Sequence, residues 1–425
     1  MHTSPQAQQN NSQASGNPEG QRDIYLDIAI IGGGIAGLWL INRLQTAGYQ
    51  CALFEAKALG SDQSVASQGM IHGGIKYTLN GALTGASEAI ADMPAHWQDC
   101  LVGCGDVDLR GANVLSDHFY MWSTASVTSK ITTFFASKAT RGRVDKVAPA
   151  DRPALFRQKG FRGQLYKLVD IVLDVPSVLQ KLASNAAGRT YLLPTESARW
   201  EKDEEGQCLL HISTDSETIR VHAKQFIFTA GKGNADLLHQ LGEIAPAMQS
   251  RPLQQVMVKF DVPHKFYGHC LGADKTPRLT ISSHPCLDGK WVWYLGGSLA
   301  ENGVKQDADT LIDHADRELK NLMPWLDLSH AQWSTLWVER AEPRQKNLVR
   351  PDQAFIERAP HCRNLAVAWP TKLTLSPNLA TATLELLNKQ GIKPGKVADF
   401  SALSSLPQAP VAKSPWDTAI FHARP

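Results

Sequence analysis

The sequence predicts an α/β protein of two domains. One is built from β-α-β units around a parallel sheet, and the other is rich in antiparallel strand. Three observations carry this. A short apolar run with β-branched residues, Ile24–Ile31, leads into the cluster Gly32-Gly33-Gly34-Ile35-Ala36-Gly37. A helix-length segment, Leu38–Ala47, then ends at Gly48 and is followed by a second buried-strand pattern, Cys51–Glu55. Segments 93–162 and 249–342 hold most of the aromatic residues and several strand-like runs. Runs buried on both faces read as parallel strands, and a strand-helix-strand of about thirty residues is a β-α-β unit.

The remaining elements follow the same logic. Pro176–Ala187 reads as a helix, Gln225–Gly231 and Asn364–Ala368 as buried strands, and Ser376–Gln390 as a closing helix. Gln255–Asp261, Arg278–Ser283 and Trp291–Leu295 read as strands of the second domain, with Trp291 and Trp293 on one sheet face in its core. The expected organisation is an unstructured tail over 1–22 and a discontinuous nucleotide-binding domain over 23–92, 163–248 and 343–400. The second domain takes 93–162 and 249–342, and 401–425 forms an extended, Pro- and Ser-rich tail. The stretch from Gly60 to Gly85 is too long for an ordinary connection and is marked as functional.

Composition narrows the function. The 425 residues are 43% hydrophobic and 20% charged, enough apolar material for two packed domains. A net charge of +2 without a long Lys/Arg run gives no footprint for nucleic acid. The seven cysteines are scattered and odd in number, so they read as reduced thiols. Cys100 and Cys104 can share a helix face, yet no second pair or nearby His completes a tetrahedral set, and no metal is expected. The first 22 residues lack the basic start and apolar core of a signal peptide, and no run is long enough to span a bilayer. The expected location is the cytoplasm, with peripheral contact at the inner membrane face left open.

The glycine cluster has the spacing of a dinucleotide site. Gly32 allows a tight turn, Gly34 lets a pyrophosphate approach the backbone, and Gly37 lets helix and strand pack closely. The helix N-terminus that follows favours phosphate. Glu55, eighteen residues past Gly37, ends the second strand, where a carboxylate can accept hydrogen bonds from ribose hydroxyls. These residues leave NAD and FAD equally open.

The next segment carries a resemblance. Ser64-x-x-Ser67-Gln68-Gly69-Met-Ile71-His72-Gly73-Gly74-Ile-Lys76-Tyr77 is similar to the flavin-embracing loop of the D-amino-acid oxidase superfamily, nearest its glycine oxidase and glycerol-3-phosphate dehydrogenase branches. Asp174-Val-Pro176, then Phe226-Ile-Phe-Thr229-Ala230-Gly231, resembles the superfamily's central section. Pro370-Thr371-Lys372-Leu373-Thr374 resembles its closing Gly-Gly-Lys-x-Thr, with Pro-Thr in place of the two glycines. The long C-terminal extension of the glycerol-3-phosphate branch has no counterpart, and its substrate is not carried over. The resemblance implies noncovalent FAD in a Rossmann-like fold of the glutathione-reductase, two-dinucleotide-binding kind. It also implies hydride removal from a carbon bearing an amine or a hydroxyl.

The resemblance places the cofactor against Gly32 to Gly37, Glu55 and Ala56, the Ser67–Gly73 loop, Ala198, Thr229 to Gly231, and Lys372 to Thr374. Lys372 can stabilise the negative charge of a reduced flavin, or be a solvated loop lysine. His72 can be an acid/base or a hydrogen-bonded loop residue. In Trp337-Val-Glu339-Arg340-Ala-Glu342-Pro-Arg344, Arg340 is placed to grip a substrate carboxylate, with Arg344 in reserve, or else pairs with Glu339 or Glu342. Arg251, Tyr294 and His269 are further pocket candidates. The leading expectation is a dehydrogenase or oxidase of a small, carboxylate-bearing amino acid, secondary amine or 2-hydroxy acid, passing electrons to oxygen, a quinone or a protein. The competing ones are a flavin-dependent tRNA-modifying enzyme and a flavin-binding relay subunit.

Overall fold

The computed structural model describes residues 20–73, 90–124, 144–261, 264–272, 276–348, 351 and 353–423. Strand β1 (Gln21–Ile31) begins before Asp23, because its first residues pair in parallel with Thr218 and its neighbours. Helix α1 (Ile35–Thr46) follows the glycine turn, and β2 (Cys51–Glu55) returns beside β1. Strand β3 (Thr218–Phe228) is parallel to β1 on its other side, and β4 (Leu365–Trp369) is parallel to β3. Helix α2 (Ser376–Lys389) packs against α1. A fifth parallel strand, Thr190–Leu192, extends the sheet beyond β2. Every residue of β2 and β4 is buried, as the unbroken apolar runs predicted.

Two antiparallel additions escaped the sequence reading. Ala198–Lys202 and Cys208–Ser213 form a hairpin on the first half of β3, while Phe355–Arg358 pairs with β4. Ala198–Lys202 and Phe355–Arg358 are half-exposed and carry charge, and Cys208–Ser213 buries only alternate residues, so no unbroken buried run marks them.

The second sheet has nine strands. From one edge it runs His422–Ala423, Gln332–Pro343, Met248–Phe260, Trp291–Gly296, Leu279–Pro285, Gly268–Leu271, Phe119–Ser123, Leu165–Leu168 and Val144–Lys146. All pairings are antiparallel except that of Gly268–Leu271 with Phe119–Ser123. Leu165–Leu168 belongs to this sheet, although the nucleotide-binding segment was expected to resume at 163. The amphipathic helix Ala308–Leu322 turns Leu311, Ala315 and Leu319 onto a core that includes Val256, Trp293 and Trp333. Trp293 is fully buried and Trp291 only partly so.

Residues 401–423 do not form an extended tail. The Ala412 amide donates to the Leu59 carbonyl, the Leu59 amide to the Pro410 carbonyl and the Leu192 amide to the Pro407 carbonyl, which holds the segment to the first sheet's side. It then crosses to the second sheet, where a short helix, Pro415–Thr418, seats Trp416 against His284 with ring centroids 4.2 Å apart. Asp417 accepts a bond from the Leu287 amide, and His422 pairs with Trp333 in the edge strand. Burial pushes the His284 imidazole down to about 3, so it packs as a neutral ring. Pro415 stands in the first turn of this short helix, and Trp416 is its buried apolar anchor, with Leu403 buried earlier in the segment. No helix among the described residues is long and apolar enough to cross a membrane.

Trp416→Ala removes that anchor. Truncating a buried Trp typically costs about 3–5 kcal/mol. Thermal melting should show a clear loss of stability, and an unchanged Tm would mean the segment is not held through Trp416.

Candidate functional site

A cavity of ≈ 880 Å³ runs from the β1–α1 turn to the second sheet. Its near end is the glycine turn. Gly32 has φ +110°, and a methyl group there would lie 2.5 Å from the Ala230 Cα. At Gly37 a methyl would lie 2.0 Å from the Gly32 carbonyl oxygen. Gly33 packs on Leu59 and Glu55. Gly34 differs: a methyl there would meet only the Ser64 hydroxyl, at 3.1 Å, and would otherwise project into the cavity. Three glycines therefore let protein pack on protein, and Gly34 leaves room for a ligand.

Glu55 lies at the same end, buried at the tip of β2. One carboxylate oxygen accepts from the Gly33 amide at 2.6 Å and the other from the Lys57 amide at 2.9 Å. Each oxygen keeps acceptor capacity for a hydroxyl. Ser64 accepts from the Ile35 amide at 2.9 Å and so caps the first turn of α1. From β3, Thr229 donates to the Gly32 carbonyl at 2.7 Å, which fixes the floor of the turn. Ile35, Ala36, Ala56, Ala198, Ala230 and Gly231 also line this end.

At the far end the Ser67–Gly73 loop passes the cavity. Ser67, Gln68 and His72 line it. Gly69, Ile71 and Gly73 do not; they hold the loop in place. A methyl at Gly69 would lie 2.1 Å from the Leu173 carbonyl oxygen, Ile71 is fully buried, and the Gly73 amide donates to Asp170 at 2.9 Å. Gly74, Lys76 and Tyr77 lie outside the described residues. Gln68 donates to the Tyr294 carbonyl at 2.8 Å and ties the loop to the second sheet.

His72 is held on several sides. Its Nδ1 lies 3.0 Å from Asp170 Oδ2, and its backbone amide donates to the Thr374 hydroxyl. Its ring stacks on His269, with centroids 5.6 Å apart. His269 in turn lies 2.8 Å from the Thr280 hydroxyl and also lines the cavity. Lys372, Leu373 and Thr374 line the cavity beside this loop, in a single turn that feeds into α2. Thr371, which stands where a glycine was expected, has φ +62°. A β-branched residue is rarely found there, and the Thr371 hydroxyl donates to the Gln353 carbonyl at 3.0 Å.

Arg340 lines the cavity from the second sheet. It pairs with neither Glu339 nor Glu342. Its Nε donates to the Arg251 carbonyl at 3.0 Å, and its Nη2 lies 3.8 Å from Glu301. Glu342 is taken by Arg251 at 3.4 Å. Arg344 is exposed and does not line the cavity; Tyr294 does not line it either, being fully buried with its hydroxyl donating to Gln255. Arg251 lies in the wall's ion pairs and not on the lining.

Three contributors escaped the sequence reading: Ser64 as the helix cap, Asp170 as the partner of His72, and the stacking of His269 on His72. Asp170 had a signal. It stands alone in the apolar run Leu168-Val-Asp170-Ile-Val-Leu173, where only a bound partner makes an acid tolerable.

Comparison with known proteins gives the following. The family model described as "DAO: FAD dependent oxidoreductase" matches residues 27–385. The chain is 49% identical over 394 residues to a probable FAD-dependent oxidoreductase, PA4991, of Pseudomonas aeruginosa, covering 92% of this chain and 98% of that protein. The crystal structure of PA4991 aligns with TM-score 0.78 and 42% identity over 93% of this chain and 98% of that one. Glycine oxidase from Geobacillus kaustophilus aligns with TM-score 0.61 at 17% identity, over 88% and 96%. Dithionite-reduced L-α-glycerophosphate oxidase from Mycoplasma pneumoniae, with FAD bound, gives TM-score 0.61 at 16%, over 86% and 95%. The last two likenesses show the fold.

Gly34→Val tests the near end. A branched side chain would fill the only opening at the turn, so the variant should fold and lose its bound dinucleotide. A stoichiometric flavin spectrum in purified Gly34→Val would refute the assignment.

Proposed function

The chain belongs to the DAO family of FAD-dependent oxidoreductases, and on that premise we propose that it withdraws a hydride from an amine- or hydroxyl-bearing carbon of a small carboxylate substrate. One observation carries the reading: a single cavity joins the glycine turn and Glu55 to a far end where His72, Lys372 and Arg340 converge from three parts of the chain. Bound there, FAD supplies the two-electron acceptor. The residues fit that group: Gly34 and the first turn of α1 would take the phosphates, Glu55 the ribose, and the Lys372–Thr374 turn the flavin end.

The protein's own groups do the rest. Arg340, braced by the Arg251 carbonyl, would hold a carboxylate through two parallel hydrogen bonds and fix the reacting carbon. Asp170 orients the His72 ring and favours a proton on Nδ1, which leaves Nε2 to take the substrate's proton as the hydride departs. Lys372 and the start of α2 would offset the negative charge that reduction brings.

The direct test is anaerobic titration of the holoenzyme with small amino acids, secondary amines and 2-hydroxy acids. One carboxylate-bearing compound should bleach the flavin rapidly. No bleaching by any member of the three classes would overturn the reading. Acid precipitation should release the flavin into the supernatant, since the cofactor is read as noncovalent.

Arg340→Lys keeps the charge and loses the planar fork. With the compound that bleaches, kcat/KM should fall by roughly 10- to 1000-fold while flavin content holds. Unchanged kinetics would remove Arg340 from the substrate site. Lys372→Met should retain flavin and lower its midpoint potential by on the order of 30 mV, which is about 1.4 kcal/mol for two electrons. An unchanged potential in redox titration would show that Lys372 does not face the reduced ring.

A further inference from the structure

Away from the cavity, His96, Cys100 and Asp106 bring one ligand atom each to within 4.8 Å of one another. None of them lines the cavity. His96 and Cys100 lie one turn apart on the helix Met93–Val102 and so share a face. Gly103 ends that helix at φ +81°. The chain then doubles back, with the Cys104 and Gly105 amides both bonded to the Asp99 carbonyl. A methyl at Gly105 would lie 2.4 Å from Cys100 Sγ, so only glycine lets the return pass this close to the sulfur. That return delivers Asp106 to the ring: Oδ1 lies 2.8 Å from His96 Nε2 and 3.4 Å from Cys100 Sγ.

We propose that His96, Cys100 and Asp106 bind a divalent transition-metal ion of the zinc type through imidazole nitrogen, thiolate sulfur and carboxylate oxygen. The donor set is the borderline-soft mixture zinc takes, with a fourth position left for water. The outer shell is present too: Arg43 lies 3.5 Å from Asp106 Oδ2 and holds that oxygen aside, leaving Oδ1 toward the other two ligands. His96 is one-third exposed while Cys100 is fully buried, so an ion enters from the imidazole side. Without the ion, protons hold the cluster together. The thiol is pushed up to about 12, chiefly by burial, and the His96 imidazole is raised by its bond to Asp106. Binding replaces the thiol proton, which passes to solvent, and takes the His96 Nε2 lone pair, so that nitrogen no longer carries a proton toward Asp106.

The site would brace the wall of the main cavity. Trp97, next to His96, donates its indole N–H to the Thr374 carbonyl at 3.1 Å, and Thr374 accepts from the His72 amide. The proposal does not depend on the substrate reading, because its readouts are metal content and spectrum.

Purified holoenzyme, stripped with a chelator, is dialysed against Zn²⁺ and analysed for metal. It is then titrated with Co²⁺, whose ligand-field bands lie to the red of flavin absorption. One equivalent per chain is expected, with the intense bands of tetrahedral thiolate-bound cobalt. His96→Gln and Cys100→Ser should each weaken binding by more than the roughly 10- to 100-fold lost with an outer-shell partner. If Cys100→Ser fails to fold, the more exposed His96→Gln decides. Absence of stoichiometric binding in the native protein, or retention of it in a folded variant, overturns the proposal.

Discussion

The architecture depends on a contact that leaves no room for a side chain. Where β1 ends, the Gly32 carbonyl and the end of β3 approach until a single methyl at Gly32 or Gly37 would overlap backbone. The Thr229 hydroxyl closes this contact by bonding the Gly32 carbonyl, and Glu55 closes the other side through the Gly33 amide. Three parallel strands are thereby locked at their C-terminal ends, where an α/β sheet opens its binding crevice. The first turn of α1 is aimed by the same contact, and Gly34 is left facing open space.

Polar ties join the two sheets alongside apolar contacts such as Ala341 and Met248 on the first sheet's core. Gln68 reaches the Tyr294 carbonyl, the Ala341 amide reaches Gln63, and residues 404–423 pass from one sheet to the other. Each tie lies beside the cavity or behind it. Ser67, Gln68 and Arg340 consequently share one lining although they come from remote parts of the sequence.

Much of this was legible because the informative residues are locally unambiguous. The glycine turn, the runs of β2 and β4, and Glu55 each follow from short-range pattern, and Gly32, Gly34 and Glu55 line one cavity. What escaped depends on partners far away in sequence. Asp170 becomes meaningful only when it meets His72, and the hairpin Ala198–Ser213 is held by β3 more than by its own half-polar residues. Cys100 and Cys104 read as a pair on one helix face, yet Gly103 ends the helix between them and leaves Cys104 exposed. The absence of a nearby His was likewise misjudged, since His96 sits one turn before Cys100. Arg340 lines the cavity, while its contacts with Arg251 and Glu301 could not be foreseen from the sequence around it.

Thr371 changes how variation at its position should be interpreted. Its left-handed backbone costs of order 1–3 kcal/mol, and its hydroxyl offsets part of this by tethering residue 353. Valine, the nearest isostere, would keep the strain and lose the tether. Glycine would lose the tether and shed the strain, and asparagine tolerates this conformation better than most residues. Ranked by ordinary similarity, then, substitutions here run backwards: the conservative replacement is the damaging one. Glycine here would keep the same backbone, so the residue's chemical class at this position says little about the shape of the site.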